Sequence, residues 1–395
     1  MRVRGISRSV IMVFVLVLML WPLLLSCGGG SGEQQSSSET TQADSSEERF
    51  SAANVQELDN AIAEVINEKN LPGVLVAVSV PGQGEYITAQ GTAHLDTGTE
   101  PDLADPFRIG SITKPFIATA ILQLVDQGKL SKSDPLSNWY PDFPNADEIT
   151  VDNLLSMRSG IADYWDEETL KQYYDNPLEN ISSEDIIEGA ASKADQFEPP
   201  DQETKYTDTN YNILEEILKK VSGNDTNTQL TENIFEPLGM TNTLYPTNEA
   251  LPGNLHGYGL NSESGEFEDK TIINPAPADG AGAMISNISD LGIFARALYE
   301  GTLLNPETQE ARLETQQLEG SPESVRFGEG IGQLGKYWGF SGTIQGFSSE
   351  MYYLPEEDAT IVIAVNRCDA DFAPQSGDVL GAVGTLLFPE YAESG

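Results

Sequence analysis

The stretch Arg108-Ile-Gly-Ser-Ile-Thr-Lys-Pro-Phe116 places a serine hydroxyl and a lysine amine three residues apart. Apolar residues follow at helical spacing, so we predict a buried helix that begins near Ser111 and ends at Gly128. Pro115 fits this helix only in its first turn, where a missing amide proton costs little. Residues at i and i+3 share a helix face, so Ser111 and Lys114 are expected to lie side by side.

Ser111 and Lys114 form a candidate catalytic pair. A serine hydroxyl is a weak nucleophile until a base accepts its proton, and a neutral lysine amine can be that base. Backbone amides at a helix start can stabilise an oxyanion, so the pattern indicates acyl transfer. A Ser-x-x-Lys match is expected about once by chance in such a chain. An exposed serine cap followed by a surface lysine would explain the helix start equally well.

A second polar cluster, Tyr206-Thr-Asp208, precedes another helical pattern over residues 209–217. A phenol near a cationic lysine can act as a proton relay, because the positive charge favours phenolate character. An ordinary tyrosine at the edge of a helix is the simpler explanation when this cluster is taken alone.

Helix and strand patterns occupy the two ends of the chain, whereas residues 130–250 show helical patterns interrupted by Pro and Gly. The predicted terminal elements are a helix over 54–69, strands over 73–80 and 84–91, strands over 343–354 and 360–365, and a helix over 380–387.

Residues 1–27 are predicted to be an export signal. Three arginines precede an apolar run over residues 10–25, and Leu24-Leu25-Ser26-Cys27 resembles a bacterial lipobox, whose cysteine is lipidated after cleavage. A retained membrane anchor is the alternative, although about 16 apolar residues is marginal for a full span. The absence of an Arg-Arg pair favours Sec-type export over twin-arginine export.

Residues 28–51 contain mainly Gly, Ser, Thr, Gln and Glu, a composition typical of a flexible tether. We therefore predict a globular domain over residues 52–392 that is lipid-anchored through Cys27 to the outer side of the bacterial cytoplasmic membrane. Cys368 is the only other cysteine, so the domain cannot form an internal disulfide, and we expect this thiol to be a buried filler.

The net charge of −41 reflects 62 acidic against 21 basic residues, which argues against a nucleic-acid partner. A solvated acidic surface is the default interpretation. We find no His/Cys cluster with metal-ligand spacing and no phosphate-binding glycine loop, so we expect neither metal nor cofactor, and we expect a monomer. A Ser-His-Asp triad would have to use His94 or His256, and no Gly-x-Ser-x-Gly elbow supports one.

Several motifs together resemble the serine β-lactamase and D-alanyl-D-alanine carboxypeptidase family, including its esterase-like members, over about residues 55–390. Their order and spacing are more specific than any one of them. They are Phe107-Arg-Ile-Gly-Ser-Ile-Thr-Lys114, Leu154-Leu-Ser-Met-Arg-Ser-Gly160 with Asp163-Tyr164, residues 206–211, Phe235-Glu-Pro-Leu-Gly-Met240 and Gly342-Thr-Ile-Gln-Gly-Phe347.

The resemblance implies that Ser111 is acylated, that Lys114 is its base and that Tyr206 shuttles the proton to the leaving group. It also implies an oxyanion hole formed by the amides of Ser111 and Thr343, with Ser341-Gly342 beside the substrate.

Asp208 stands where the family often has asparagine. Lys114 can serve as a base near neutral pH only if its pKa falls from about 10.4 by about three pH units, which requires ~4 kcal/mol of desolvation and charge effects. A neighbouring carboxylate would oppose that fall by stabilising the charged amine. We therefore expect Asp208 to be held away from Lys114 or paired elsewhere.

The third motif departs from the family, which usually carries Lys-Thr-Gly or His-Ser/Thr-Gly where this chain has Phe340-Ser341-Gly342. Phenylalanine can neither carry charge nor donate a hydrogen bond, so binding of a substrate carboxylate is disfavoured. Lys336 is the nearest basic residue in sequence. Gly280-Ala-Gly282 could border the cleft, although a plain turn is the simpler explanation.

We accordingly predict an α+β, β-lactamase/transpeptidase-like fold, with an antiparallel sheet from both chain ends, flanking helices and an inserted helical subdomain over about 130–250. The predicted function is that of a membrane-tethered serine hydrolase acting on D-Ala peptides, β-lactams or simple esters. The alternatives are an esterase without penicillin recognition and a catalytically silent wall-binding module.

Overall fold

The computed structural model describes residues 49–179, 181–197 and 200–394. The predicted signal segment 1–27, its Cys27 and the tether up to residue 48 lie outside the described residues, so these predictions and the domain boundary stay predictions. Within the described residues, no helix combines the length and the apolar character that a membrane span requires.

An eight-stranded antiparallel sheet organises the chain in the order β2-β1-β12-β11-β10-β9-β8-β7. Its first hairpin comes from the N-terminal part and its other strands from the C-terminal part, joined where β1 pairs with β12. The strands of the described residues, of which β3 to β6 lie outside this sheet, are β1 (Gly73–Val80), β2 (Gly84–Gly91), β3 (Phe107–Arg108), β4 (Tyr258–Leu260), β5 (Phe267–Asp269), β6 (Ile285–Ser286), β7 (Gln316–Gln317), β8 (Val325–Phe327), β9 (Gly332–Leu334), β10 (Tyr337–Ile344), β11 (Phe347–Leu354) and β12 (Ala359–Val365).

Helices cover both faces of the sheet, and further helices occupy the part of the chain between its N-terminal and C-terminal strands. Over residues 130–250, the described part of the chain contains helices α3 to α8 and no strand. The helices are α1 (Ala52–Lys69), α2 (Thr113–Asp126), α3 (Val151–Leu155), α4 (Glu167–Asp175), α5 (Ser183–Ala191), α6 (Thr209–Ser222), α7 (Thr226–Leu230), α8 (Glu236–Leu238), α9 (Asp279–Gly282), α10 (Ile288–Glu300), α11 (Pro306–Arg312) and α12 (Ser376–Leu387), and a π-helix (Thr231–Phe235) connects α7 to α8.

Two cores lie on opposite faces of the sheet. The larger core packs α2, α6 and α10 against one face, and it includes Phe116, Met351 and Val362. The smaller core packs α1 and α12 against the other face, and it includes Tyr352 and Ile363. Adjacent residues of a strand point to opposite faces, which is why Met351 and Tyr352 belong to different cores. The predicted α+β fold with a sheet from both chain ends is confirmed.

The strand predicted over residues 343–354 is wrong in one respect, because the structure divides it. β10 ends at Ile344 and β11 begins at Phe347, and these two residues face each other across an antiparallel hairpin. The turn between them is Gln345-Gly346, where Gly346 has a φ of 84° that L-residues seldom adopt. Gln-Gly is a weak turn signal, which explains why the sequence pattern predicted one strand where the structure has two.

Candidate active site

Ser111 lies in a 3-10 turn (Gly110–Ile112) that leads directly into α2. This turn packs against the backbone of β10, and glycine is required on both sides of the contact. A Cβ atom on Gly110, whose φ is +51°, would overlap the Thr343 backbone, and one on Gly342 would overlap the Ile109 carbonyl. The close approach places the Thr343 amide beside the nucleophile turn, as the predicted oxyanion hole requires.

Two side chains converge on the Ser111 hydroxyl. Lys114 Nζ lies 3.0 Å from Ser111 Oγ, and the Tyr206 hydroxyl lies 2.9 Å from it. Lys114 reaches the serine because it is one helical turn further along α2, whereas Tyr206 comes from the loop before α6. The structure therefore brings together the nucleophile, the base and the phenol that the sequence patterns single out separately.

Lys114 is fully buried, and its amine has two partners besides Ser111. Its Nζ lies 2.7 Å from the Ala281 carbonyl oxygen and 2.5 Å from Asp208 Oδ1. The expectation that Asp208 is held away from Lys114 is therefore wrong. Burial nevertheless lowers the pKa of Lys114, because the loss of solvation outweighs the opposing attraction of Asp208. A neutral amine can donate to Ala281 and Asp208 while its lone pair faces the Ser111 hydroxyl.

A second carboxyl group lies behind Asp208. Asp163 Oδ2 accepts a hydrogen bond from the Asp208 amide at 3.4 Å, and its Oδ1 accepts one from the Trp165 amide at 3.1 Å. Burial, followed by the nearby Asp208 charge, raises the pKa of Asp163 to about 8. Burial thus favours the protonated form of Asp163 beside the Asp208 carboxyl group.

The phenolate character expected for Tyr206 is not supported. Burial and then the neighbouring Asp208 charge raise the pKa of Tyr206 well above its ordinary value. The Lys114 ammonium position lies 5.0 Å from the centre of the phenol ring, yet its attraction does not reverse this effect. Tyr206 is thus a neutral phenol that can donate its proton to Ser111 Oγ or to a leaving group.

An open cleft extends from Ser111, and most of its wall is aromatic or aliphatic. Sequence reasoning missed this wall, since its members come from separate segments and nothing in their local patterns shows that they meet. Tyr164 is fastened by a 2.5 Å hydrogen bond to the Pro277 carbonyl, and Gln345 donates to the Tyr173 carbonyl at 2.7 Å. The apolar side chains that line the cleft are Tyr164, Trp165, Leu170, Tyr173, Ile344 and Phe372.

The third motif brings no charge to this cleft. Phe340 is buried and packs edge-on against Phe327, with ring centres 5.7 Å apart. Lys336 does not replace the missing basic group, because its side chain is 55% exposed and pairs with Glu356 at 3.1 Å. None of the described residues that line the cleft is basic.

The Ser341 side chain does not point toward Ser111. It alternates with Phe340 along β10 and lies on the other face of the sheet, where its hydroxyl interacts with Tyr352. Only the backbone of this motif, through Gly342 and Thr343, adjoins the nucleophile turn.

Ala281 and Gly282 do line the cleft, so the bordering role weighed for Gly280-Ala-Gly282 is correct and the plain-turn explanation is not. The two histidines lie elsewhere. The rings of His94 and His256 are tilted against each other with centres 3.9 Å apart, and His256 Nδ1 lies 2.6 Å from Asp269 Oδ2. Neither ring is among the described residues that line the cleft.

One acidic group among the described residues has a spacing that could hold a cation, formed by Glu215, Glu216 and Asp279. Lys219 Nζ lies 3.4 Å from Glu215 Oε1 and also contacts Glu216. The ammonium group therefore already supplies positive charge to this cluster.

Comparison with known proteins identifies relatives of this chain. Penicillin-binding protein 4 of Amycolatopsis lactamdurans is 29% identical over 62% of this chain and 64% of its own length. Esterase EstB of Burkholderia gladioli is 27% identical over 48% of this chain and 51% of its own length. The chain thus spans about half to two thirds of these relatives.

A solved structure of a D-stereospecific amidohydrolase from Streptomyces sp. superposes with a TM-score of 0.73 and 27% identity, covering 84% of this chain and 97% of that one. The β-lactamase family model matches residues 58–382. The chain therefore belongs to the β-lactamase family of serine hydrolases, whose members include penicillin-binding proteins, esterases and amidases.

Proposed function

We propose that this protein hydrolyses esters or amides that have an apolar acyl group and no free carboxylate, through an acyl-enzyme formed on Ser111. The observation that carries the proposal is the convergence of Lys114 Nζ at 3.0 Å and the Tyr206 hydroxyl at 2.9 Å on one serine oxygen. Both contacts lie within hydrogen-bonding distance of the atom that would attack.

Acylation begins when Ser111 Oγ attacks the substrate carbonyl carbon and Lys114 Nζ accepts the hydroxyl proton. The negative charge that develops on the carbonyl oxygen is stabilised by the backbone amides of Ser111 and Thr343. When the intermediate collapses, Tyr206 donates its proton to the leaving group and is reprotonated from the Lys114 ammonium. The leaving alcohol or amine departs, and the acyl group remains on Ser111.

Deacylation repeats these transfers with water. Lys114, neutral again, removes a proton from the water through Tyr206 while the oxygen attacks the acyl carbon. Collapse of the second intermediate returns the proton to Ser111 Oγ and releases the acid. Every proton taken in one step is returned in the other, so the enzyme ends unchanged.

The cleft supports a substrate with an apolar acyl group and no free carboxylate. Its aromatic wall can bury an acyl side chain, at roughly 25 cal/mol per Å² of apolar surface. Phe340 stands where a basic residue would hold a carboxylate, and Lys336 is turned to solvent. These features favour the esterase alternative over D-Ala peptides and β-lactams, both of which carry a free carboxylate.

Intact-mass measurement after treatment with a fluorophosphonate tests the nucleophile, with Ser111→Ala as the matched variant. We expect one adduct on Ser111, turnover of p-nitrophenyl acetate, and weak or no labelling by a fluorescent penicillin. Strong penicillin labelling would instead favour the carboxypeptidase function. Equal residual hydrolysis by wild type and Ser111→Ala over a broad ester and amide panel would leave the silent wall-binding module.

The export and lipid attachment of this hydrolase are part of the same proposal. The basic and apolar start of the chain and Leu24-Leu25-Ser26-Cys27 support lipidation at Cys27 on the outer side of the cytoplasmic membrane. Metabolic labelling with a fatty-acid analogue should mark the wild type and not Cys27→Ala. Detection of an intact residue 1–27 segment in the membrane fraction would favour the retained anchor instead.

A further inference from the structure

Asp208 is a carboxylate at the floor of the cleft, at the position where the resembling family often carries an asparagine amide. An amide can donate a hydrogen bond to a substrate carbonyl, whereas an ionised carboxylate can only accept. Resting on the proposed function, we propose that Asp208 binds the protonated amino group of the substrate, so that the preferred substrates are aminoacyl esters or amides with a free amine.

The charges around Ser111 leave a place for one cation. Lys114 must be neutral to accept the serine proton, and burial favours the protonated form of Asp163. The Asp208 side chain is only 6% exposed and lines the cleft, where no described lining residue is basic, so a neutral Lys114 leaves its carboxylate form without a cationic partner. An uncompensated buried charge is unfavourable, so a substrate ammonium would be the stabilising partner.

The Lys193 ammonium group is already engaged. Lys193 Nζ contacts the backbone carbonyls of Asp163 and Tyr164 at 3.1 and 2.7 Å and pairs with Asp166 at 3.0 Å. It holds the loop that carries Asp163 and does not line the cleft. Asp208 lines the cleft and is therefore the carboxyl group that can accept a hydrogen bond from a substrate ammonium.

Binding of an ammonium would also assist the chemistry. Asp208 Oδ1 lies 2.5 Å from Lys114 Nζ and favours the charged form of that amine. A second cation on the same carboxylate would repel the Lys114 charge and weaken this attraction. The substrate amine would thus help to keep Lys114 neutral at the moment when it must accept the Ser111 proton.

The aromatic wall completes the recognition site. Tyr164 and Trp165 have ring centres 4.4 Å apart, and both line the cleft with Asp208. Such rings bury an apolar side chain and attract a cation placed over their faces. The substrate predicted by this arrangement is an amino acid ester or amide with an aromatic or large aliphatic side chain.

Two assays at pH 6.5, where an α-amine of pKa about 7.7–8.0 is protonated, test this proposal. The first compares kcat/KM for the free-amine and N-acetyl forms of phenylalanine p-nitroanilide, in both enantiomers. The second uses p-nitrophenyl acetate turnover to compare inhibition by 2-phenylethylamine and by 2-phenylethanol. We expect the wild type to prefer the amine by about 10- to 100-fold in either assay, the range of a charge-assisted hydrogen bond.

Asp208→Asn should bring both ratios close to one, while Asp142→Asn, which removes the same charge from an exposed position, should leave them as in wild type. Equal melting temperatures would show that the variants fold. If the ratios are near one in the wild type, or if Asp208→Asn keeps the preference, the ammonium site is overturned although hydrolysis persists. Absence of p-nitrophenyl acetate turnover and of a Ser111 adduct would instead overturn the proposed function.

Discussion

Two buried ionisable side chains, Lys114 and Glu350, lie on opposite faces of the sheet, and only Lys114 adjoins the candidate active site. On one face, burial lowers the pKa of Lys114, whose amine contacts Ser111 Oγ, Ala281 and Asp208. On the other face, burial raises the pKa of Glu350 to about 8, and its carboxyl accepts a hydrogen bond from Ser376 at 2.8 Å. Desolvation drives both groups toward neutrality. Only Lys114 has a nucleophile beside it and an open cleft above it, so a shifted pKa alone does not define a catalytic group.

The largest expected effect comes from replacing Lys114, the member of this pair that contacts Ser111. Lys114→Met should lower kcat/KM for p-nitrophenyl acetate by about 10³-fold or more, because no other amine or carboxylate among the described residues contacts Ser111. Steady-state kinetics and fluorophosphonate labelling measure the loss, and Glu350→Gln is the control that neutralises the other buried group. Activity of Lys114→Met within a few-fold of wild type would contradict the role assigned to the amine.

Tyr206→Phe should lower kcat by about 10²-fold, because the leaving group and the attacking water lose their proton carrier while the ring still fills its place. The effect should be smaller for p-nitrophenyl esters, whose leaving group needs no proton, than for an anilide. Comparison of the two substrates separates proton transfer from packing. An equal loss with both would indicate that the tyrosine acts through structure alone.

Glu350→Gln should stabilise the protein at alkaline pH by up to ~5 kcal/mol and leave it little changed near pH 4.5. Glu350 has a folded pKa of about 8, above its ordinary range. As the pH rises from the ordinary glutamate pKa to about 8, the unfolded chain releases this proton and the folded chain retains it, so the free energy of unfolding of the wild type falls. Urea unfolding at pH 4.5 and 9 measures the difference, with exposed Glu323→Gln as control. Parallel pH curves for wild type and Glu350→Gln would contradict this account.

The smallest effect should come from Ser341→Ala. Its hydroxyl lies with Tyr352 on the face away from Ser111, so kcat/KM should stay within about threefold of wild type. Ester kinetics beside Ser111→Ala provide the measurement. A large loss of kcat with an unchanged melting temperature would show that this hydroxyl reaches the substrate after all.

Local patterns predicted much of the site and fold. The i, i+3 spacing placed Lys114 beside Ser111 because helix geometry is set within one turn. The predicted first hairpin agrees with β1 and β2, since β-branched runs around Pro81-Gly82 carry a local signal. The pairing of Asp208 with Lys114 was predicted wrongly. The sequence does not show how deeply Lys114 is buried, and in the structure desolvation lowers its pKa despite the contact with Asp208.

The sequence by itself determined which groups could react and which charge was missing: a serine and a lysine one turn apart, a tyrosine and an aspartate before a second helix, and Phe340 in place of a basic residue. Only the tertiary structure decided that the Asp208 carboxylate touches Lys114 and that separate aromatic segments form one cleft. It also decided that Ser341 faces away from Ser111. The physical reason is that helix spacing and composition are local, whereas desolvation and side-chain contact depend on which distant segments pack together.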